Sequence, residues 1–275
     1  MLEELARAKV NLCLHITGRR DDGMHLLDSI VVFPNVGDVL EVKSADDLTL
    51  KIDGPFGAGL DAGANNLVMQ AARLLTNNGA ALRLQKNLPL ASGIGGGSAD
   101  AAACIRLLSR LRRTKFPPMS QLIQLGADVP VCMDQTPKRM SGIGQELVSI
   151  PPLPEFWVVL VNAGHGVETG AVFKAMEVHD NRSILNIPAS FKTQQGLFDF
   201  LRAQRNDMQE VAVNISPAIA DVMAKISATK NCALTRMSGS GGTCFGLFAT
   251  KREASAAASQ IQHNQPAWWV VAADV

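Results

Sequence analysis

A glycine-rich stretch, PLASGIGGGSAD at residues 89–100, carries the residue types that most clearly point to chemistry. Glycines let backbone N–H groups approach an anion closely and adopt positive φ angles. The predicted helix that follows adds unpaired N–H donors and a partial positive charge at its N-terminus. The stretch is therefore predicted to bind phosphate, with Ser98 placed either to cap the helix or to contact a phosphate-bound Mg²⁺ ion.

The same stretch has a purely structural explanation, a glycine-rich turn that only caps a helix. The glycine run Gly95–Gly97 is costly in backbone entropy unless a ligand needs close approach, which favours the phosphate site. The stretch matches neither the Walker pattern G-x-x-x-x-G-K-[ST] nor the dinucleotide pattern G-x-G-x-x-G. A second glycine-rich segment, RMSGSGGTCFGLF at 236–248, is either a turn between strands or a second wall of the same cleft.

Two charged residues lie in apolar surroundings, and their types and positions alone favour a turn aspartate and an exposed lysine at a strand edge. They become candidates for catalysis only through a resemblance to a known family. Asp128 lies in the apolar stretch ADVPV, and a carboxylate there is suited to accept a hydroxyl proton as a general base. Lys9 alternates with apolar residues on a predicted strand, where it should share a face with Asn11 and favour the ionised form of a neighbouring carboxylate.

The elements that must position these residues mix strands and helices without a strict βαβ repeat, which predicts an α+β fold. Strands are predicted at 6–16, 29–36, 38–44, 48–54, 80–88, 157–164, 233–249 and 268–274, and helices at 67–78, 101–113, 170–177, 194–202, 217–227 and 251–262.

Length and composition bound the class of protein. A chain of 275 residues predicts two domains, since one domain typically has roughly 150 residues. The proline-dense stretch PPLPEF is the predicted connector, which gives an N-terminal domain over 1–150 and a C-terminal domain over 151–275. Apolar residues make up 47% of the chain, which is enough for a sizeable core. The 26 basic residues nearly balance the 25 acidic ones, which argues against a nucleic-acid or membrane-surface binder.

Cellular location is predicted to be the cytoplasm. No apolar run approaches the ~20 residues that span a bilayer, and no secretory signal is visible. The five cysteines are odd in number and contain no C-x-x-C pair, so we expect small buried hydrophobes in a reducing compartment. The five histidines lack metal-ligand spacing, so no transition-metal site is predicted.

Three motifs resemble those of the GHMP kinase superfamily, named for galactokinase, homoserine kinase, mevalonate kinase and phosphomevalonate kinase. They are AKVNLCLHITGRRDDGMH, PLASGIGGGSADAAA and MSGSGGTCFGLF, in this order along the chain. The stretches LGADVPVCM, GHGVETGAVFKAM and WWVVA extend the resemblance over nearly the whole sequence. The ordered combination is far more specific than any one motif.

The resemblance implies a two-domain α+β kinase with its active site in the cleft between the domains. It implies transfer of the γ-phosphoryl group of ATP, with Mg²⁺, to the 2-hydroxyl of the methylerythritol part of a cytidyl-bearing small molecule in non-mevalonate isoprenoid precursor biosynthesis. Lys9 and Asp128 match the catalytic pair of the family. The implied ATP site is Pro89, Leu90, Ala91, Ser92, Gly93, Ile94, Gly95, Gly96, Gly97, Ser98, Ala99 and Asn66, with Asn65 nearby, and the implied substrate site is Asn11, Met24, His25, Thr169 and Phe173.

Several of these residues also have ordinary explanations. His25 matches a residue that meets the cytosine edge, but its type alone suits a surface position. Phe173 offers a face for stacking a base, and the alternative explanation is ordinary core packing. Met24 departs from the family, which usually has Tyr there, and methionine has no π-face to stack on cytosine. Asp100 is predicted either to be a ligand of Mg²⁺ or to interact favourably with the positive end of the helix dipole.

Two other functions remain open at this stage. One is a different small-molecule kinase of the superfamily, of the homoserine or mevalonate type; the departure at Met24 gives it some weight, but the stretches LGADVPV and GMH argue against it. The other is a nucleotide-binding protein without turnover, against which Lys9 and Asp128 argue, because a binder needs the glycine loop but no base. The predicted partner is a small molecule and not a nucleic acid or a membrane, and a homodimer is left open.

Overall fold

The computed structural model describes residues 1–75 and 79–275 and groups them into two units, each drawn from separate stretches of the chain. The first unit comprises Met1–Lys9, Val36–Leu90 and Gly95–Gln135, and the second comprises Val10–Asn35, Ala91–Ile94 and Thr136–Val275. The predicted domain division after residue 150 stays a prediction. The last three residues of the helix predicted over 67–78 lie outside the described residues.

The described residues form strands and helices with the following bounds. The strands are β1 (Leu2–Arg7), β2 (Val10–Arg19), β3 (His25–Val32), β4 (Gly37–Ser44), β5 (Thr49–Asp53), β6 (Ala80–Gln85), β7 (Lys138–Gly142), β8 (Glu146–Ser149), β9 (Trp157–Asn162), β10 (Leu234–Met237), β11 (Thr243–Phe248) and β12 (Trp269–Asp274). The helices are α1 (Leu67–Arg73), α2 (Gly96–Arg112), α3 (Met119–Leu125), α4 (Val129–Cys132), α5 (Thr169–Ala175), α6 (Gln194–Arg202), α7 (Gln209–Ile215), α8 (Ala218–Ser227) and α9 (Lys251–Asn264).

The first unit holds one sheet in the order β1-β4-β6-β5, in which β5 and β6 are parallel and the other neighbours antiparallel. Alternation of side chains builds its packed face, because Leu82 and Leu84 of β6 are buried while Arg83 and Gln85 are exposed. Helix α2 covers β1 and β4 and also packs against α1. Its alanine-rich buried side lets the helix backbone approach the sheet closely, which fixes the position of its first turn.

The second unit holds two antiparallel sheets, in the orders β2-β3-β7-β8 and β10-β11-β9-β12. Every residue of β2 from Val10 to Ile16 is buried, so this strand is covered on both faces. Helices α8 and α9 pack on β9 and β11. Their apolar residues, among them Ile226 and Ile261, join Val161 and Phe248 in one core cluster.

The predicted α+β class is confirmed by this mixture of strands and helices. The single strand predicted over 6–16 is wrong, because β1 ends at Arg7, β2 begins at Val10 and the two belong to different sheets. Ala6, Ala8 and Val10 are all buried, so the apolar alternation continues through the break and hides the change of sheet. Lys9 therefore lies between two strands and does not share a strand with Asn11. The expectation that both side chains lie on the same face of one strand does not apply.

Other differences from the predicted elements include the start of α2, the division of one strand into β10 and β11, the position of β3, the unpredicted strands β7 and β8 and three short helices. Helix α2 begins at Gly96 and not at residue 101, so Gly96 and Gly97 of the predicted loop are helical. The strand predicted over 233–249 is two strands, β10 and β11, separated by the second glycine-rich segment. Helices α3, α4 and α7 were not predicted, because each has seven residues or fewer and shows little of the helical period.

Two further findings concern the chain as a whole. None of the helices in the described part of the chain combines the length and the apolar character needed to cross a membrane. All five cysteines are free thiols, and all but Cys232 are buried, which agrees with the prediction of small hydrophobes without disulfides.

Candidate active site

Lys9 and Asp128 form a close ion pair in the first unit. Lys9 is only 4% exposed, and its Nζ donates to Asp128 Oδ2 at 2.8 Å. Asp128 precedes α4, yet its carboxylate makes no capping bond to that helix. The side chain of Asp128 is 33% exposed. The ammonium is therefore committed to the carboxylate, while the carboxylate remains accessible to a reactant.

Helix α2 begins beside this pair. Gly95 is its N-cap residue, with φ of 65° in the left-handed region, and as a glycine it makes no side-chain capping bond. A Cβ added at Gly95 would lie 3.2 Å from Lys9 Cβ and 3.9 Å from Asp128 Oδ2. The N-terminus of the 17-residue helix α2 thus lies in the vicinity of the ion pair, and a helix N-terminus favours an anion.

Ser98 lies half-buried in the first turn of α2. Because Gly95 is the N-cap residue, the capping role predicted as one alternative for Ser98 is wrong. Its hydroxyl lies 3.8 Å from the place where a Cβ on Gly126 would stand, two residues before Asp128. The Ser98 hydroxyl therefore lies close to the segment that leads to Asp128.

The preceding part of the loop, Ala91–Ile94, belongs to the second unit and packs on the turn between β10 and β11. Ser238 Oγ donates to the carbonyl of Gly93 at 3.0 Å, and Thr243 N donates to the carbonyl of Ser92 at 3.0 Å. Gly93 has φ of 71°, and a Cβ there would stand 2.5 Å from two carbonyl oxygens of that turn. The second glycine-rich segment is therefore both a turn and a support for the loop.

Asp100 takes part in a buried cluster with Lys86 and Asp38, neither of which was singled out from the sequence. Lys86 Nζ donates to Asp38 Oδ2 at 2.5 Å and to Asp100 Oδ2 at 2.6 Å. Burial raises the pKa of Asp100 to about 8, although the Lys86 ammonium lowers it. Burial alone would lower the pKa of Lys86, but Asp100 and Asp38 raise it. Asp100 is thus a member of a buried charged cluster with Lys86 and Asp38. This role differs from the two considered from the sequence, which were binding of Mg²⁺ and interaction with the helix dipole.

Asn66 acts as the N-cap residue of α1 in this structure. Its Oδ1 accepts from Val68 N at 2.9 Å, and its Nδ2 donates to the carbonyl of Asp61 at 2.8 Å. Asn65 next to it is exposed. Both remain predicted to lie near the adenine.

Asn11 is fully buried at the start of β2. Its Nδ2 donates to Ser29 Oγ at 2.7 Å, and its backbone N–H donates to Ser238 Oγ at 3.1 Å. Its Oδ1 has no hydrogen-bond partner among the residues that the structure describes. The side chain is held in one orientation with an acceptor left over, which suits a residue predicted to meet a substrate donor.

His25 and Phe173, predicted to bind the cytidyl group, are brought together in the second unit. Their rings stack with centroids 4.4 Å apart. A residue not predicted from the sequence, His179, places its Nδ1 3.1 Å from His25 Nε2. Burial lowers the pKa of His25, and the nearby His179 and Arg19 lower it further. Met24 beside His25 is 45% exposed.

Thr169 is the first residue of α5 and is exposed. Its Oγ1 lies 2.7 Å from Ser240 Oγ, in the turn between β10 and β11. Ser240 is buried, so it fixes the Thr169 hydroxyl to the same turn that supports the glycine loop. The sequence signal for Ser240 was its place in the second glycine-rich segment.

Comparison with known proteins gives two family models that match this chain. The model described as GHMP kinases N terminal domain matches residues 66–142, and the one described as GHMP kinases C terminal matches residues 195–267. The homoserine kinase of Cytophaga hutchinsonii has a TM-score of 0.67 at 14% identity, with coverage of 99% of this chain and 94% of that chain, which shows the fold alone.

The chain belongs to the GHMP kinase family and is a small-molecule kinase that uses ATP as phosphoryl donor. A protein of Cereibacter sphaeroides named 4-diphosphocytidyl-2-C-methyl-D-erythritol kinase is 49% identical over 274 residues, which cover 99% of both chains. A crystal structure of 4-(cytidine 5'-diphospho)-2C-methyl-D-erythritol kinase has a TM-score of 0.78 at 28% identity and covers 98% of both chains. Within the family the chain therefore belongs to the 4-diphosphocytidyl-2-C-methyl-D-erythritol kinases, and the resemblance drawn from the motifs is confirmed.

Proposed function

We propose that this kinase transfers the γ-phosphoryl group of ATP to the 2-hydroxyl of 4-diphosphocytidyl-2-C-methyl-D-erythritol, a step of non-mevalonate isoprenoid precursor biosynthesis. The substrate in the name of the relative that is 49% identical supports this assignment. The supporting observation in the chain itself is the 2.8 Å bond between Lys9 Nζ and Asp128 Oδ2 beside the start of α2.

Asp128 is the proposed general base. Its accessible carboxylate accepts the proton of the attacking hydroxyl as the bond to phosphorus forms. Lys9 holds the carboxylate in place by a charge-assisted hydrogen bond and puts a positive charge near the transferring group. Phosphoryl transfer needs positioning and charge stabilisation more than covalent chemistry, and this pair provides both.

The segment Pro89–Ala99 is the proposed binding site for the ATP phosphates. The start of α2 supplies N–H donors and the positive end of the helix dipole. The left-handed φ angles at Gly93 and Gly95 turn the backbone without a Cβ in the way. Asn66 is the residue proposed to lie near the adenine.

Mg²⁺ is the proposed companion of ATP. This ion usually keeps several waters and binds through substrate phosphates with one or two protein oxygens. The described residues contain no group of three or more His, Cys, Asp or Glu side chains suited to a metal, so the triphosphate itself would supply most ligands. The Ser98 hydroxyl fits as the protein ligand, and the bound ion would offset charge on the transferring phosphoryl group.

The proposed substrate site is formed by Asn11, Met24, His25, Thr169 and Phe173. Phe173 and His25 offer an aromatic surface for the cytosine base. The leftover acceptor of Asn11 and the fixed hydroxyl of Thr169 offer hydrogen bonds to polar groups of the substrate. A cytoplasmic location agrees with the free cysteines. A homodimer and the absence of a nucleic-acid partner stay predictions.

A coupled assay of ADP release tests the function directly. The purified protein is given ATP, Mg²⁺ and one of three alcohols: the cytidyl-methylerythritol compound, homoserine or mevalonate. Turnover with the cytidyl compound is expected. Turnover with homoserine or mevalonate instead would assign a different kinase of the family. If no ADP is released with any of the three alcohols, the protein is a nucleotide-binding protein without turnover.

A further inference from the structure

Asn206 lies between α6 and α7 and is only 8% exposed. The segment around it is bonded to the middle of β2, because Leu14 N donates to the carbonyl of Arg205 and Asp207 N donates to the carbonyl of Leu14, both at 2.9 Å. Asp207 adds a side-chain bond, since its Oδ2 accepts from Ile16 N at 2.8 Å. The backbone of Asn206 is therefore fixed against β2, the strand that carries part of the proposed substrate site.

The side chain of Asn206 holds the turn between β10 and β11. Its Nδ2 donates to the carbonyls of Met237 and Gly239, both at 2.9 Å. Its Oδ1 accepts from Met208 N at 3.0 Å, which fixes the end of the amide that faces the turn. Aspartate and leucine have a similar size but cannot offer two donors and one acceptor in this arrangement. The position therefore requires an amide.

The turn that Asn206 holds contacts the glycine loop, backbone against backbone. A Cβ on Gly239 would stand 2.6 Å from the carbonyl oxygen of Gly93. A Cβ on Gly93 would stand 2.5 Å from the carbonyl oxygens of Ser238 and Gly241. Because the two backbones leave no space between them, a displacement of the turn must displace the loop as well.

Ser238 connects the same turn to the proposed substrate site. Its buried Oγ donates to the carbonyl of Gly93 at 3.0 Å and accepts from the backbone N–H of Asn11 at 3.1 Å. The two carbonyls held by Asn206 belong to the residues on either side of Ser238. One hydroxyl therefore joins the loop to the residue proposed to meet a substrate donor, and Asn206 fixes the place of that hydroxyl.

We propose that Asn206 is a positioning residue for the ATP site: its amide holds the turn between β10 and β11, and the turn holds the glycine loop in the arrangement that accepts the triphosphate. Without the two Nδ2 bonds, the turn loses its attachment to β2, and the loop loses the fixed support under Gly93. ATP then binds more weakly and its γ-phosphoryl group is aligned less well. The inference rests on the proposed binding of the ATP phosphates by this loop.

The test is a calorimetric titration of the full-length protein with adenylyl imidodiphosphate and Mg²⁺. Asn206→Asp keeps the size of the side chain and the acceptor for Met208 N but turns an oxygen towards the two carbonyls, so the Kd is expected to rise about tenfold. Asn206→Ala removes the bonds without adding repulsion, and a rise of about threefold is expected. A residue that only fills space would give the opposite order, because aspartate preserves the volume and alanine does not.

Two further variants complete the experiment. Ser238→Ala removes the hydroxyl bonded to the Gly93 carbonyl and is expected to raise the Kd by about three- to tenfold, which keeps the test decisive should Asn206→Asp fail to fold. The matched control is Asn231→Asp, which makes the same exchange at an exposed asparagine of the second unit whose Nδ2 donates to Glu253 Oε1. This control is expected to keep the wild-type Kd.

Loss of folded protein is told apart from loss of positioning, since unfolded molecules lower the number of binding sites and kcat but leave the Kd of the remaining sites unchanged. Steady-state rates are expected to show the same rise in KM for ATP as the titration shows in Kd. The inference is overturned if Asn206→Asp or Ser238→Ala binds the analogue with the wild-type Kd, or if Asn206→Ala binds it more weakly than Asn206→Asp. Turnover of a different alcohol by the wild type would sink the proposed function and leave these shifts in Kd as expected.

Discussion

The imidazole of His25 lies flat on the ring of Phe173, with centroids 4.4 Å apart and planes inclined by 13°. A pyrimidine inserted between two rings needs about 3.5 Å on each side, so none fits between these two. His25 and Phe173 therefore form a single aromatic wall of the proposed base site. The opposite wall must come from another residue, and Met24, next to His25 and 45% exposed, is the candidate.

Met24→Tyr is expected to lower KM for the cytidyl substrate by about tenfold, because a ring at this position adds a stacking face for the base. The measurement is the initial rate against substrate concentration at saturating ATP. Met119→Tyr is the matched control, since Met119 is an exposed methionine of the other unit. If Met24→Tyr leaves KM unchanged, Met24 does not line the base site.

Acidification is expected to weaken binding of a cytidine nucleotide. Burial, His179 and Arg19 lower the pKa of His25 from its ordinary 6.5, so the folded protein favours the neutral ring. The contribution of neutral His25 to the free energy of unfolding is fully present above pH 6.5. It is lost as the pH falls through the lower pKa that His25 has in the folded protein. Calorimetric titration with CMP over this range measures the effect on binding.

His179→Ala tests whether His179 helps to lower the pKa of His25. Removal of one of the causes that lower the pKa of His25 is expected to move the midpoint upward, towards 6.5. An NMR titration of the His25 ring gives the midpoint directly. His263→Ala, which removes an exposed histidine on α9, is the control. An unmoved midpoint in His179→Ala would show that the pair does not govern His25.

Gly95 and Gly59 allow a matched pair of alanine variants. Both have positive φ, 65° and 82°, so each variant is expected to lose about 1 kcal/mol of stability. A Cβ at Gly95 would press on Lys9 at 3.2 Å, whereas none of the described residues lies within 4 Å of a Cβ at Gly59. Only Gly95→Ala should therefore lower kcat and raise KM for ATP, each by about tenfold. Equal kinetics of the two variants in rate assays, after thermal unfolding has confirmed folding, would contradict this reading.

Asp128→Asn is expected to reduce kcat by roughly 10²–10⁴ while leaving the affinity for adenylyl imidodiphosphate nearly unchanged, as for a lost general base. Rate measurements and calorimetry on the same preparation give the two quantities. Asp47→Asn, at an exposed position, should match the wild type in both. Full activity of Asp128→Asn would remove Asp128 from the mechanism.

The glycine loop could be singled out from the sequence because glycine runs are rare without a purpose, whereas Lys9 and Asp128 could be singled out only because they lie in motifs that resemble those of the family. The break between β1 and β2 could not, since buried alanines on both sides continue the same alternation. Whether a strand stays in one sheet depends on its partners, and those are distant in sequence.

The Lys86 cluster was missed for a similar reason. Asp38 and Lys86 are 48 residues apart and meet because β4 and β6 pair in a register that sets Val39 opposite Gln85. A lysine that ends a strand otherwise suits a solvated position, so nothing local marks it as buried. His179 was missed because it lies outside any helix or strand, where periodicity gives no information.

The alternation of the chain between the two units, with changes after residues 9, 35, 90, 94 and 135, has a consequence during synthesis. The first unit cannot be completed until Gln135 has left the ribosome, and the second not until the last residue has. The first unit can therefore assemble during synthesis, whereas the second unit, in which β9 pairs with β12, is expected to finish only after translation ends.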